Sequence, residues 1–170
     1  MTMTLSGTNG GIGVIGSGTA VASTSGTSID FTGLPAGLKR ITVMFNGVST
    51  NGTSNLQVQI GSGSVTTSGY ASSITRFSST ALLQNTITSG FGLINAINTS
   101  ADLQIGHLIL TNVSGNIWIS SSSVYSAGYV ANQIQAGSIT LSGTLDRVRI
   151  TTVGGTDTFD AGTVNIMYEG

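Results

Sequence analysis

The sequence predicts an all-β protein, an antiparallel β-sandwich or jelly roll preceded by an extended N-terminal arm. Three observations carry that expectation. Apolar and polar residues alternate with period two in several short runs, as half-buried strands require. Turn-forming dipeptides separate those runs at short, regular intervals. Helical patterning is almost missing: Ala81-Leu82-Leu83-Gln84 amounts to one turn at best, flanked by Ser and Thr.

Residues 1–28 are the most biased segment, rich in Gly, Ser and Thr, with Leu5, Ile12, Val14 and Ile15 scattered through it. They read as an extended attachment arm with one or two short strands, able to add a strand to a neighbouring sheet edge. Residues 29–170 read as the sandwich domain. Ile41, Val43 and Phe45 alternate with Thr42, Met44 and Asn46, and Leu56, Val58 and Ile60 with Asn55, Gln57 and Gln59. Val148 and Ile150 alternate with Arg147 and Arg149, and Val164, Ile166 and Tyr168 with Asn165 and Met167. Two stretches read as apolar on both faces: Leu103–Leu110, and Ile117-Trp118-Ile119. Such strands belong at the centre of a sheet or at a subunit contact. Asn46-Gly47, Asn51-Gly52 and Gly154-Gly155 are turn sequences, and Ser114-Gly115-Asn116 reads as a hairpin loop. The Ser/Thr-rich stretches 62–80 and 120–126 read as long loops or edges. Eight to ten strands result.

Composition narrows the chemistry. Gly, Ser and Thr make up 74 of 170 residues, yet only 6% are charged and 39% are hydrophobic, so the disordered profile of high charge and low hydrophobicity does not apply. One Lys and four Arg against six acids leave no basic surface to neutralise a run of phosphates, which argues against nucleic-acid binding. With no Cys, disulfides, thiolate metal sites and Cys catalysis are excluded. No apolar run reaches the ~18 residues of a membrane-spanning helix, and the first residues do not read as a secretory signal. A sandwich so poor in charge has little protection against edge-to-edge pairing. A homotrimer is therefore expected, with Leu110, Ile117 and Trp118 as its seam.

Gly11-Ile-Gly13-Val-Ile-Gly16 matches the dinucleotide fingerprint, with Asp30 downstream, but Ser17-Gly-Thr-Ala-Val-Ala is a poor helix start and no βαβ alternation follows. His107, the single His, sits among Ile105, Leu108 and Ile109 and reads as a core or interface residue rather than a catalytic base. Asp157 and Asp160 are the one close acidic pair; turn bonding is their ordinary reading, hydrolysis or Ca²⁺ binding the sharper one. Asp146, Arg147 and Arg149, with Lys39 and Arg40, are expected to pair across strands or subunits. Tyr70, Phe77, Tyr125 and Tyr129, near Asn132 and Gln133, form the candidate contact for a glycan or receptor, against the plainer reading of aromatics packed under loops. No cofactor or metal is expected.

Leu5-Ser-Gly-Thr-Asn-Gly-Gly11, Ile29-Asp-Phe-Thr-Gly-Leu-Pro35, the Arg40–Asn55 block and the Leu141–Asn165 block together resemble the virion structural proteins of tailed bacteriophages. The likeness spans most of the chain. It implies a non-enzymatic, trimeric β-sandwich module in the virion, assembled in the host cytoplasm. That module is a short tail fibre or receptor-binding tip, or else a capsid decoration protein. The implied partners are other copies of the chain, tail or capsid proteins, and, for a receptor-binding tip, a host-surface glycan. A free-standing glycan-binding module is the alternative from another class.

Overall fold

The computed structural model describes residues 3–6, 12–80, 82–97, 99–100 and 102–170; side chains are described from Ile15 onward. In chain order the strands are β1 (Met3–Ser6), β2 (Ile12–Ser17), β3 (Val21–Ala22), β4 (Ser28–Thr32) and β5 (Arg40–Thr50). Next come β6 (Leu56–Ser62), β7 (Ser64–Val65), β8 (Ala71–Phe77), β9 (Leu82–Ile87) and β10 (Phe91–Gly92). The last five are β11 (Gln104–Ser114), β12 (Ile117–Ser126), β13 (Ala131–Thr140), β14 (Arg147–Thr152) and β15 (Phe159–Glu169).

They form two antiparallel sheets packed face to face, an all-β sandwich. The large sheet has ten strands in the order β1-β2-β15-β5-β11-β12-β13-β8-β9, with β3 also on β15. The small sheet has five, β10-β6-β14-β4, with β7 on β6. Alternation positions the core. Ile41, Val43 and Phe45 of β5, Leu108 and Leu110 of β11 and Val164 and Ile166 of β15 point inward from the large sheet. Val58 and Ile60 of β6 and Val148 and Ile150 of β14 meet them from the small one, and all of these residues are buried.

Several expectations are corrected. Leu110 and Trp118 are core residues, 0% and 3% exposed, so neither is available to a subunit seam; Ile117 faces outward. Serines 120–126 are not a loop but most of β12, whose burial alternates along its whole length. Ser120, Ser122 and Ser126 point inward; Ser120 Oγ accepts from Gln135 Nε2 at 2.7 Å and Ser126 Oγ donates to Asp102 Oδ2 at 2.7 Å, while Ser122 Oγ has no partner among the described residues. Stretch 62–80 likewise contains β7 and β8, and Leu82-Leu83-Gln84 starts strand β9 instead of a helical turn.

The boundary at residue 28 is not a structural one. β2 pairs with β15 in the register Gly16↔Tyr168, β3 pairs with β15 as well, and Ser23 is buried, donating to the Ala161 carbonyl. The backbone of Leu5, Ile12 and Val14 lies in the β1–β2 hairpin, but their side chains fall outside the described residues; Ile15 is half-buried.

One glycine of β11 shapes the large sheet. Gly106 has φ +152°, and a Cβ there would meet the Ser123 carbonyl oxygen at 2.2 Å. The register with β5 shifts between Gln104↔Val48 and Gly106↔Phe45, so the extra residue of that bulge lies in β5 at Asn46–Gly47, where Gly47 has φ +67°.

Candidate functional site

The outer face of the large sheet is open to solvent along β11, β12, β13 and β8. Across β11, β12, β13 and β8 no Asp, Glu, Lys or Arg points outward. The outward positions are Ser, Thr, Asn and Ala interspersed with Ile105, Ile117, Ile119, Tyr125, Ile134 and Phe77, each between 37% and 49% exposed. His107 lies on this face, exposed, opposite Met44 of β5 and Ser123 of β12. It is a surface residue rather than a core one, because the alternation of β11 runs unbroken with Gln104, Leu108 and Leu110 inward and Ile105 and His107 outward. The strand is apolar on both sides, as the sequence suggested: Leu108 and Leu110 belong to the core, while Ile105 and Ile109 lie on the outer face.

The four aromatics expected to touch a glycan separate. Tyr125, Asn132 and Phe77 are direct cross-strand partners in one outward row, continued by Ile105 at one end and Leu82 at the other. With strands ~4.8 Å apart, the two rings lie roughly 10 Å apart with the Asn132 amide between them. Tyr129 is elsewhere: the Arg76 guanidinium stacks 3.7 Å from its ring centroid. Tyr70 is 2% exposed and is a structural residue. Its hydroxyl accepts from Ile60 N at 2.8 Å and faces the carbonyls of Ile60 and Thr66 at 3.2 and 3.0 Å. β6 is bonded along this edge to β10 at Gln57 and Val58 and to β7 at Gly61 and Ser62; the Tyr70 hydroxyl fills the gap at Ile60. Burial pushes the phenol up to about 12, with the Ile60 N–H partly opposing.

The acidic pair is committed to structure, Asp157 to a loop and Asp160 to the pairing of β15 with β5. Asp157 Oδ2 accepts from Ser54 N at 2.8 Å and packs against Gly52, while Asp160 accepts from the Ser49 hydroxyl. Among the described residues no group of three or more His, Cys, Asp or Glu is placed to hold a metal. Of the remaining charges, Arg149 and Arg40 pair across strands as expected, while Arg147 pairs with the residue before it. Arg149 makes a bidentate pair with Asp30 across β14 and β4, at 2.7 and 3.0 Å. Arg147 does the same with its neighbour Asp146, and Arg40 meets Glu169 at 3.4 Å. Arg147 holds the Asp146 carboxyl below the usual carboxylate range, assisted by Gly63 N–H. The Gly11–Gly16 motif, where described, lies in strand β2, so no helix N-terminus stands behind it.

A second feature escaped sequence reasoning. On the outer face of the small sheet, Gln57 and Gln59 are only 2% and 5% exposed although they point away from the core. The 88–90 turn folds over them. Gln59 Nε2 donates to the Ser89 carbonyl at 2.8 Å, Ser89 Oγ donates to Gln57 Oε1 at 2.8 Å, and Gln57 Nε2 reaches the Thr152 carbonyl at 3.3 Å. Gly90 permits the approach, since a Cβ there would lie 2.7 Å from Gln57 Oε1. Beside this clamp is a groove of ≈ 360 Å³, bounded by Thr67 and Ser89 on one side and by Ser28, Arg149 and the 153–155 turn on the other. Only the alternation of Gln with Val and Ile hinted at these amides, and alternation alone marks them as solvent-facing. No protein-family model and no curated protein sequence matches the chain.

Proposed function

We propose that the chain is a non-enzymatic structural module of a virion, a homotrimeric short tail fibre or receptor-binding tip that touches the host surface. The observation that supports this reading most is the uncharged outer face that β11, β12, β13 and β8 present in the large sheet. A monomer that leaves Ile105, Ile117, Ile119 and Ile134 half-exposed on one continuous, charge-free sheet face carries an interaction surface. Self-association covers it without having to match charge. The seam then runs along Ile117, Ile119 and Ile134, while the Tyr125–Asn132–Phe77 row at one end of the face stays free for a partner. The absence of catalysis rests on chemistry: Asp157 and Asp160 already serve backbone and hydroxyl donors, leaving neither as a general acid or nucleophile.

Light scattering tests the assembly: the expected species has three times the 17.1 kDa chain mass, and a monodisperse single chain refutes it. Antibody-labelled electron microscopy of particles that contain the protein tests the location. Label on the tail supports the fibre reading; label spread over the head overturns it in favour of a capsid decoration protein.

A further inference from the structure

We propose that the groove on the outer face of the small sheet is a binding site for a neutral saccharide. The proposal takes the host-contact reading above as the reason such a site exists; binding itself is independent of it.

Three properties of the groove select this ligand class. The first is preorganisation. The side chains of Gln57 and Gln59 are locked by Ser89 and Thr152, so their amides lose little freedom when a ligand arrives. Long polar side chains on the solvent face of a sheet are ordinarily mobile. Here a whole turn and a glycine are devoted to pinning two of them.

The second is the inventory of open hydrogen-bonding groups. Gln59 Oε1 has no protein partner among the described residues, nor has the hydroxyl of Thr67. Arg149 spends Nε and Nη2 on Asp30 and keeps Nη1. An acceptor, a hydroxyl that serves either way and a fixed cationic donor around ≈ 360 Å³ match vicinal hydroxyls, which both donate and accept.

The third is charge. Arg149 is the only cation at the groove, and the Asp30 carboxylate holds it in a bidentate pair. That pair neutralises the site, so a phosphate or carboxylate would face a cation already satisfied and a carboxylate beside it. The neutral ligand is favoured over the anion. Val153, 44% exposed on the rim, is the one sizeable apolar contact and suits the C–H face of a sugar ring.

The test uses isotope-labelled full-length protein and four probes added singly: glucose, galactose, mannose and N-acetylglucosamine. At least one is expected to shift the side-chain amide resonances of Gln57 and Gln59 saturably. Thr67→Val and Gln59→Leu should each weaken its affinity roughly 2- to 12-fold, the cost of one neutral hydrogen bond. Val113→Ala, at an exposed position outside the groove, should leave affinity unchanged. If Gln59→Leu fails to fold, Thr67→Val on the exposed loop carries the test alone. The proposal is overturned if no sugar shifts these resonances, or if shifts map instead to Tyr125, Asn132 and Phe77. It is equally overturned if inorganic phosphate perturbs the groove more strongly than every sugar, or if Thr67→Val binds as the wild type does. A trimer that binds no sugar sinks the groove and spares the structural reading; a monomer that binds one does the reverse.

Discussion

Replacing Tyr70 by Phe removes one oxygen atom, and the structure states what that atom does. It closes the gap in the β6 edge between β10 and β7 by accepting the Ile60 N–H and donating to the carbonyls there. Phe keeps the ring and its edge-on contact with Phe91, centroids 4.9 Å apart, so packing survives. The Ile60 N–H is left buried without an acceptor, which costs about 1–3 kcal/mol. A second consequence distinguishes this mechanism from generic damage. The phenol lies near 12 when folded against an ordinary 10.0. The folded state therefore keeps its proton where the unfolded chain has lost it. This contribution is fully present below pH 10 and disappears as pH rises through the folded value, amounting to ~3 kcal/mol for a shift of that size. Urea unfolding, followed by the fluorescence of Trp118 at fixed protein concentration, measures both effects. Tyr70→Phe should be less stable than wild type at about pH 8, and the gap should close as pH approaches about 12. Equal midpoints near neutrality, or a gap that stays constant into the alkaline range, would refute the role given to the hydroxyl.

Four further outcomes are expected. Ile119→Glu places a charge in the middle of the outer face of the large sheet without touching the core; it should convert the trimer to folded monomer by light scattering, with the circular dichroism of the wild type. Gly106→Ala forces a Cβ against the Ser123 carbonyl and should lower stability by more than ~1 kcal/mol in urea titration, beyond the usual gain from losing a glycine. Deleting residues 1–27 removes β2 and β3 from the edge of β15 and uncovers Val164 and Ile166; the shortened chain should show a lower melting temperature and bind a dye for exposed apolar surface. Asp157→Asn should weaken the 52–54 loop against proteolysis, while neither it nor the wild type shortens host polysaccharide.

The limits of sequence reasoning here follow from what periodicity encodes. Alternation reports which side chains share a face, and it correctly placed Ile41, Val43, Phe45, Val58, Ile60, Val148 and Ile150 inward, because a strand has only two faces and water sorts them. The paucity of Lys and Glu similarly made it predictable that the few charges would pair, as Arg149 does with Asp30. Alternation does not say which face is inward when both are mixed. Leu110 and Trp118 were therefore misread as a seam although they lie in the core, and the serines of β12 were misread as a loop although Ser120 accepts from Gln135 on the neighbouring strand and Ser126 donates to Asp102. Nor does it say what folds over an outward face. The burial of Gln57 and Gln59 depends on a turn about thirty residues away and on the missing side chain of Gly90. Tyr70 was legible as an aromatic with a polar tip, but that its tip completes the edge of β6 is decided by where two short strands stop, β10 at Val58 and β7 at Gly61. Local pattern determined the strands and the sidedness of most of them. Long-range packing alone decided which faces meet, which polar groups they enclose and where a groove remains.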